Sequence, residues 1–185
     1  MRDTQPTATP TPRPRTTATT DAGMLALWDP EHFTAVVDHD TWENELLEDE
    51  DIARHIEAGA FVPLNVGGDG TFEVAVRVGT TAAPARPTAR EAAHTLVTSD
   101  PYLFVSPGGA HLGGIETVGS DGYAIPLSPG RHTVTVHLID WEAEPGSRTL
   151  PDFLVLLTPV SPVSPWDGRG TPFRTSVQTF DPPEH

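Results

Sequence analysis

Hydrophobic and polar positions alternate along two segments of the chain with the period of two that is typical of a half-buried β-strand. Residues 71–78 carry phenylalanine or valine at every even position, and residues 132–140 carry Val134, Val136 and Leu138 on one face. Residues 153–157 are apolar without interruption, which favours a central strand covered on both faces. The pattern therefore predicts three strands of a β-protein in these segments.

The rest of the pattern predicts further short strands separated by turns. Pro129 and Gly130 suit the central positions of a β-turn at residues 128–131, because proline restricts φ at the first position and glycine allows a positive φ at the second. This turn predicts a hairpin between residues 123–127 and the strand that begins at His132. The other strand candidates are residues 24–28, 33–37, 61–66, 94–97, 102–105 and 111–117.

One segment breaks the strand pattern. Residues 41–58 place their apolar side chains at roughly helical spacing, with Thr41 as a candidate N-cap and Gly59 as a stop. We expect one short acidic helix here, or two short helical turns. Many short strands with a single helix predict a mainly β fold, an antiparallel β-sandwich with one short acidic helix.

The composition of the two ends differs from that of the middle. Residues 1–20 alternate threonine and proline with a few arginines, and such a segment buries too little apolar surface to offset the entropy of ordering. We therefore expect a disordered tail at 1–20 and a β-sandwich domain at 21–158. Residues 159–185 form a proline-rich C-terminal extension, part of which Trp166, Phe173, Val177 and Phe180 could hold against the domain.

The charge of the chain is strongly one-sided. Its 185 residues include 26 acidic and 11 basic residues, a net charge of -15, and every basic residue is arginine. A body this negative repels nucleic acid and anionic lipid and attracts basic partners, so we expect neither direct nucleic-acid binding nor membrane association. An alternative interpretation is that the lysine-poor composition reflects genomic base composition and that the acidity only secures solubility.

Two absences in the sequence narrow the class of protein. The chain contains no cysteine, which excludes disulfides, thiolate zinc sites and cysteine nucleophiles. Its first twenty residues contain no apolar run of the length that a secretory signal requires, and nowhere do about 18 apolar residues follow one another. We expect a cytoplasmic protein without a cofactor.

The acidic residues are concentrated in one part of the chain. Eleven of the 26 lie within residues 29–57, where Arg54 is the single arginine. Carboxylates spaced along a helix resemble nucleic-acid phosphates, so a cationic cleft that binds nucleic acid could accept them. We predict a surface that binds a basic protein such as a nuclease or toxin, the alternative being a solvated helix face. The predicted site comprises Trp42, Glu43, Glu45, Glu48, Asp49, Glu50 and Asp51.

Other constellations suggest a second class of function. Asp140, Glu142 and Glu144 follow a predicted strand and offer the oxygen ligands that calcium prefers, so the alternative is a small-ligand or calcium-binding β-sandwich module. The histidines show no short metal-ligand spacing, and those at 32, 39 and 55 are expected at the surface. Neither a nucleophile-elbow motif nor a phosphate-binding loop is present, so we assign no catalytic or metal site and expect a non-enzyme.

The order of these features resembles that of the competence protein J family, small bacterial inhibitors of a DNA-entry nuclease. The shared features are Asp40-Thr41-Trp42 before an acidic segment that ends at Gly59, the run IPLSPGRHTVTVHLIDW at 125–141, and a last strand at 152–157. The resemblance implies a β-sandwich without an active site that blocks a nuclease by direct contact. Residues 80–91 look inserted relative to that family. Toxin-neutralising immunity proteins would also bind a basic partner by direct contact, so both an inhibitor role and an immunity-like role stay open.

Overall fold

The computed structural model describes residues 15–140 and 150–180 of the chain. Within these ranges the strands are β1 (Arg15–Thr20), β2 (Met24–Trp28), β3 (Phe61–Asn65), β4 (Gly70–Val78), β5 (Thr95–Thr98), β6 (Tyr102–Ser106), β7 (Gly109–Gly114), β8 (Tyr123–Pro126), β9 (Gly130–Ile139) and β10 (Phe153–Pro159). The helices are α1 (His39–Leu46), α2 (Asp49–Glu57) and α3 (Ala89–Ala93), with a 3-10 turn at Ile115–Thr117. None of the helices in these ranges is long and apolar enough to cross a membrane.

The strands form two sheets. The six-stranded sheet has the order β1-β4-β10-β9-β5, with β6 also paired to β9, and the four-stranded sheet has the order β3-β2-β7-β8. Strands β4 and β10 run parallel, whereas the other pairings are antiparallel. This mainly β architecture of two sheets confirms the predicted fold class.

The main hydrophobic core takes alternate residues from the central strands. In β10, Phe153, Val155 and Leu157 contribute to the main core, while Leu154 and Leu156 belong to a second, smaller cluster. Fully burying one such side chain contributes about 1.5–3 kcal/mol. β10 lies between β4 and β9 and is buried on both faces, which confirms the central strand predicted from its unbroken apolar run.

The predicted strand at 33–37 is wrong. The segment forms turns, in which the amide of Val36 donates to the carbonyl of Phe33 at 3.0 Å. Phe33 and Val36 are buried all the same, so their side chains serve the core from a loop. Just before this segment the Asp29 carboxylate accepts from the amide of Glu31 at 2.8 Å, a local hydrogen bond that is typical of a turn and not of a strand.

The predicted hairpin of 123–127 with the strand after Pro129 is also wrong. Gly130 has the expected positive φ, at 128°, but the turn carries the chain from one sheet to the other. β8 pairs with β7 in the four-stranded sheet, while β9 pairs with β10, β5 and β6 in the six-stranded sheet. The remaining predicted strands are present with shifts in their bounds, except that Ile115–Thr117, predicted as the end of the strand 111–117, form the 3-10 turn.

Of the two alternatives predicted for the acidic segment, the structure shows two short helical segments, α1 and α2, and not one helix. α1 begins after Asp38, which is the N-cap, so the prediction of Thr41 as the cap is wrong by three residues. The first helix ends before Leu47, and α2 begins after Glu48. Gly59 follows α2 with a φ of 74°, the left-handed conformation that ends many helices and favours glycine.

Both predicted tails contribute ordered structure. Residues 15–20, assigned from composition to a disordered tail, form β1 and pair with β4, because threonine suits a strand and Ala18 and Thr20 are buried. Residues 1–14 lie outside the described residues. In the C-terminal extension Phe180 is buried against Phe153 with ring centroids 5.9 Å apart, whereas Trp166 remains 46% exposed.

Candidate functional site

Helix α1 is fixed at its start by reciprocal hydrogen bonds. The Asp38 carboxylate accepts from the amide of Thr41 at 2.9 Å, and the Thr41 hydroxyl accepts from the amide of Asp38 at 3.0 Å. Hydrogen bonds from the Thr41 side chain and backbone hold the pKa of Asp38 below its ordinary value. The cap keeps Asp38 charged at the exposed N-terminus of α1, where the helix dipole favours a negative group.

Helix α2 begins with a run of four acidic residues. Glu48 is the N-cap residue in extended conformation, without a side-chain capping bond, and Asp49, Glu50 and Asp51 occupy the first turn. Ile52 and Ile56 bury the opposite side of the helix in the main core. Because one face of α2 is buried, the acidic residues on its other side face solvent at the junction of α1 and α2.

The structure separates the predicted site residues into two groups. Glu45 and Asp51 both pair with Arg54, at 3.1 and 2.9 Å, and Glu43 lies 3.2 Å from His39. Glu48, Asp49 and Glu50 are exposed, and no ion pair joins them to any residue in the described ranges. We call these three residues the acidic corner. Within the described ranges, no cation pairs with these three carboxylates.

Trp42 lies against the body rather than projecting from it. Its indole Nε1 donates to the carbonyl of Ile115 at 2.8 Å, and the His39 ring stacks near it with centroids 6.3 Å apart. The indole forms one wall of a cleft of about 460 Å³, which we call the indole cleft. Val36, Val37, Val118, Asp38 and Glu116 also line this cleft.

Exposed apolar side chains accompany these carboxylates. Val37, on the rim of the indole cleft, is 77% exposed, and Leu47, next to Glu48, is 54% exposed. Sequence reasoning missed Val37 because it placed the residue in a strand. The combination of charge that attracts and apolar surface that can be buried is what a protein-binding site requires.

A chain of hydrogen bonds fastens this region internally. His32 Nε2 lies 2.9 Å from His55 Nδ1, and His55 Nε2 lies 2.9 Å from Glu45 Oε2. His55 is only 5% exposed, so its expected surface position is wrong. Burial lowers the pKa of His55, and the neighbouring His32 lowers it further. These two hydrogen bonds connect His32, in the loop before α1, to His55 in α2 and Glu45 in α1.

The calcium-binding alternative depended on Asp140, Glu142 and Glu144. Glu142 and Glu144 lie outside the described residues. In the part of the chain that the structure describes, no three histidine, aspartate or glutamate side chains are grouped so as to hold a metal ion.

Comparisons with known proteins relate the chain to two solved structures. Neither a family model nor a curated protein sequence matches it. The structure titled crocagin biosynthetic gene J matches with a TM-score of 0.55 at 19% identity, over 80% of this chain and 96% of that one. ComJ from Bacillus subtilis, titled an inhibitor of the DNA-degrading activity of NucA, matches with a TM-score of 0.50 at 12% identity over the same shares. These matches confirm the resemblance to competence protein J at the level of the fold.

Proposed function

We propose that this chain is a non-enzymatic inhibitor that binds a basic protein, with a nuclease as the class of target, through the acidic corner and the adjoining helix α1. The observation that carries the proposal is that Glu48, Asp49 and Glu50 are exposed and unpaired within the described structure, next to the exposed Leu47. The fold shared with the ComJ structure supports a nuclease as the target.

The mechanism follows from the resemblance of carboxylates to phosphates. A nuclease cleft carries cations that attract phosphates, and the acidic corner presents negative oxygens to the same cations. A carboxylate offers no phosphodiester bond to break, so it occupies the cleft without being cleaved. The inhibitor therefore needs shape and charge but no chemistry of its own.

Charge and apolar contact have different roles in this binding. An exposed ion pair contributes only about 0–1 kcal/mol, so the carboxylates mainly raise the association rate and orient the partner. Burial of Leu47 and Val37 supplies the apolar contact, at about 25 cal/mol per Å². Trp42 shapes the cleft wall rather than acting as a free anchor, because its indole nitrogen is already bonded to Ile115.

Charge reversal at the corner tests the proposal. Glu48→Arg combined with Glu50→Arg should weaken inhibition of a target nuclease by about tenfold or more at low salt. The assay follows degradation of a labelled linear DNA duplex at increasing inhibitor concentration. Repeating it between about 50 and 200 mM NaCl should show a weaker salt dependence for the variant than for the wild type.

A matched control separates the local effect from net charge. Asp21→Arg combined with Asp69→Arg makes the same change in net charge at two exposed positions outside α1 and α2. This control should inhibit like the wild type at moderate salt. Equal weakening by both double variants would show that only net charge matters, and would contradict a site at the acidic corner.

A toxin of basic character is a second target class that uses the same surface. Purified nuclease and toxin candidates can be compared by adding each to the immobilised chain and measuring dissociation constants for the wild type and both double variants. Sensitivity to the corner variant identifies the target class. If the wild type binds and inhibits none of them, the inhibitor proposal fails.

A further inference from the structure

A large groove lies on the outer face of the six-stranded sheet. Its volume is about 800 Å³, within the range of about 300–1,000 Å³ that is common for small-molecule sites. Its floor includes Thr133, Thr135 and His137, which alternate along β9 with the core residues Val134 and Val136. The floor therefore faces away from the main core and presents hydroxyls.

One wall of the groove is the segment that the sequence marks as inserted. The amide of Ala85 donates to the Thr158 hydroxyl at 3.0 Å, and the Arg77 guanidinium donates to the carbonyl of Arg86 at 3.2 Å. Prolines at 84 and 87 restrict the backbone on either side. These contacts fix the backbone of Arg86 at the groove while its side chain stays exposed.

The opposite wall comes from the C-terminal extension. One nitrogen of the Arg131 guanidinium donates to the carbonyls of Ser161, Pro162 and Ser164, at 3.2, 3.0 and 2.6 Å. The Thr133 hydroxyl donates to the carbonyl of Asp167 at 3.3 Å. Both contacts run from β9, so the strand that forms the floor also holds this wall in place.

Arg169 stands at the tip of a closed turn in that wall. Gly168 and Gly170 flank it with φ of 87° and 88°, and the Asp167 carboxylate accepts from the amides of Arg169 and Thr171 at 2.7 and 3.1 Å. The turn needs these glycines because few other residues adopt a positive φ. The sequence reads Gly-Arg-Gly, and the structure shows that the arrangement presents an arginine to the groove.

The charge of the groove is opposite to that of the chain. Arg86 and Arg169 line its two walls, and the acidic residue among its described lining residues is Asp167, which is engaged with backbone amides. We propose that this groove binds a small organic anion whose phosphate or carboxylate group lies between Arg86 and Arg169. The Thr135 hydroxyl of the floor donates a hydrogen bond to the same ligand, and the prolines of the walls contact its apolar part.

This site is independent of the proposed inhibitor function. The groove shares no lining residue with the indole cleft, and none of its lining residues belongs to the acidic corner. If the chain inhibits no nuclease, the proposed anion site in the groove is not affected. If the groove binds no anion, the proposed inhibitor function is not affected.

Titration calorimetry of the full chain tests the groove with three probes: AMP, citrate and inorganic phosphate. Either Arg86→Gln or Arg169→Gln should weaken binding of the organic probe about tenfold. Arg90→Gln, which removes the same charge outside the groove lining, is the matched control and should bind like the wild type. Thr135→Val keeps the side-chain shape and removes one floor hydroxyl, so it should weaken binding by a smaller factor.

Each outcome bears on the proposal. Binding of AMP without citrate supports it and assigns a phosphate ligand, and binding of citrate without AMP supports it and assigns a carboxylate ligand. The proposal is overturned if the wild type binds neither AMP nor citrate at up to about 10 mM, a weak affinity for any ligand site. It is also overturned if Arg90→Gln weakens binding as much as the two groove variants.

Discussion

Charged residues have opposite roles on the outer side of the six-stranded sheet and at the junction of α1 and α2. On the sheet, Arg77 forms a buried ion pair with Glu91, and Arg131 binds three carbonyls of the C-terminal extension. At the junction, Arg54 forms ion pairs with Glu45 and Asp51. The residues of the acidic corner form no ion pair within the described ranges. Arginines on the sheet hold loops in place, whereas carboxylates at the corner face solvent.

The difference teaches that net charge alone does not locate a binding surface. Removing one partner of a buried charge pair destabilises the fold strongly, because it leaves the other charge buried without a partner. Exposed charges without partners add little to stability, so they are available for recognition. Four predictions test whether the two regions differ in this way.

The largest effect on stability is expected from Glu91→Gln. The side chains of Glu91 and Arg77 are only 4% and 12% exposed, and Glu91 also accepts from the amide and hydroxyl of Thr88. Removing its charge leaves the Arg77 guanidinium buried without a counter-charge, at a cost of about 3–5 kcal/mol. Urea unfolding at pH 7 measures the loss. Glu57→Gln, on the exposed side of α2, is the control and should change little.

The same ion pair predicts the acid stability of the protein. Burial alone would raise the pKa of Glu91, but hydrogen bonds from Arg77 and Thr88 and the Arg77 charge lower it from 4.5 to about 2. Because the folded pKa is below the unfolded one, the stabilisation is complete above pH 4.5 and is lost as the pH falls through 2. The advantage of the wild type over Glu91→Gln should therefore shrink by roughly 3 kcal/mol across this window. An advantage that stays constant with pH would contradict the assignment.

A smaller loss is expected from Arg131→Leu. The variant removes hydrogen bonds from a charged donor to three carbonyls, and such bonds contribute about 1.5–3 kcal/mol. Because the contacts hold residues 161–164, limited proteolysis should cut there sooner than in the wild type. Arg90→Leu is the control. Protection of this segment equal to that of the wild type would show that other contacts hold it.

Parts of this arrangement could be predicted from the sequence because they depend on local pattern. The alternation in β4 and β9 and the apolar run of β10 define strands whatever their partners. The partner of β8 was missed, since a proline-glycine turn suits a hairpin equally well whether or not the chain then changes sheets. β1 was missed because the composition of its segment is typical of disorder, whereas its pairing with β4 joins residues far apart in the chain.

The candidate site was predictable only in part, for a similar reason. The density of acidic residues before Gly59 is visible in the sequence. Which carboxylates pair with Arg54 depends on how α2 folds back beside α1, and the contact between Trp42 and Ile115 joins positions far apart in the chain. The groove between Arg86 and Arg169 is likewise assembled from distant segments, which no local pattern reveals.

The smallest effect on stability is expected at the acidic corner, and its size is the most direct test of the account. The triple variant Glu48→Gln, Asp49→Asn, Glu50→Gln removes three charges whose mutual repulsion opposes their favourable position at the start of α2. Urea unfolding should give a free energy within about 1 kcal/mol of the wild type at pH 7. A loss of about 3 kcal/mol or more, comparable to that of Glu91→Gln, would mean that these carboxylates hold the fold together and would contradict the recognition surface that we propose for them.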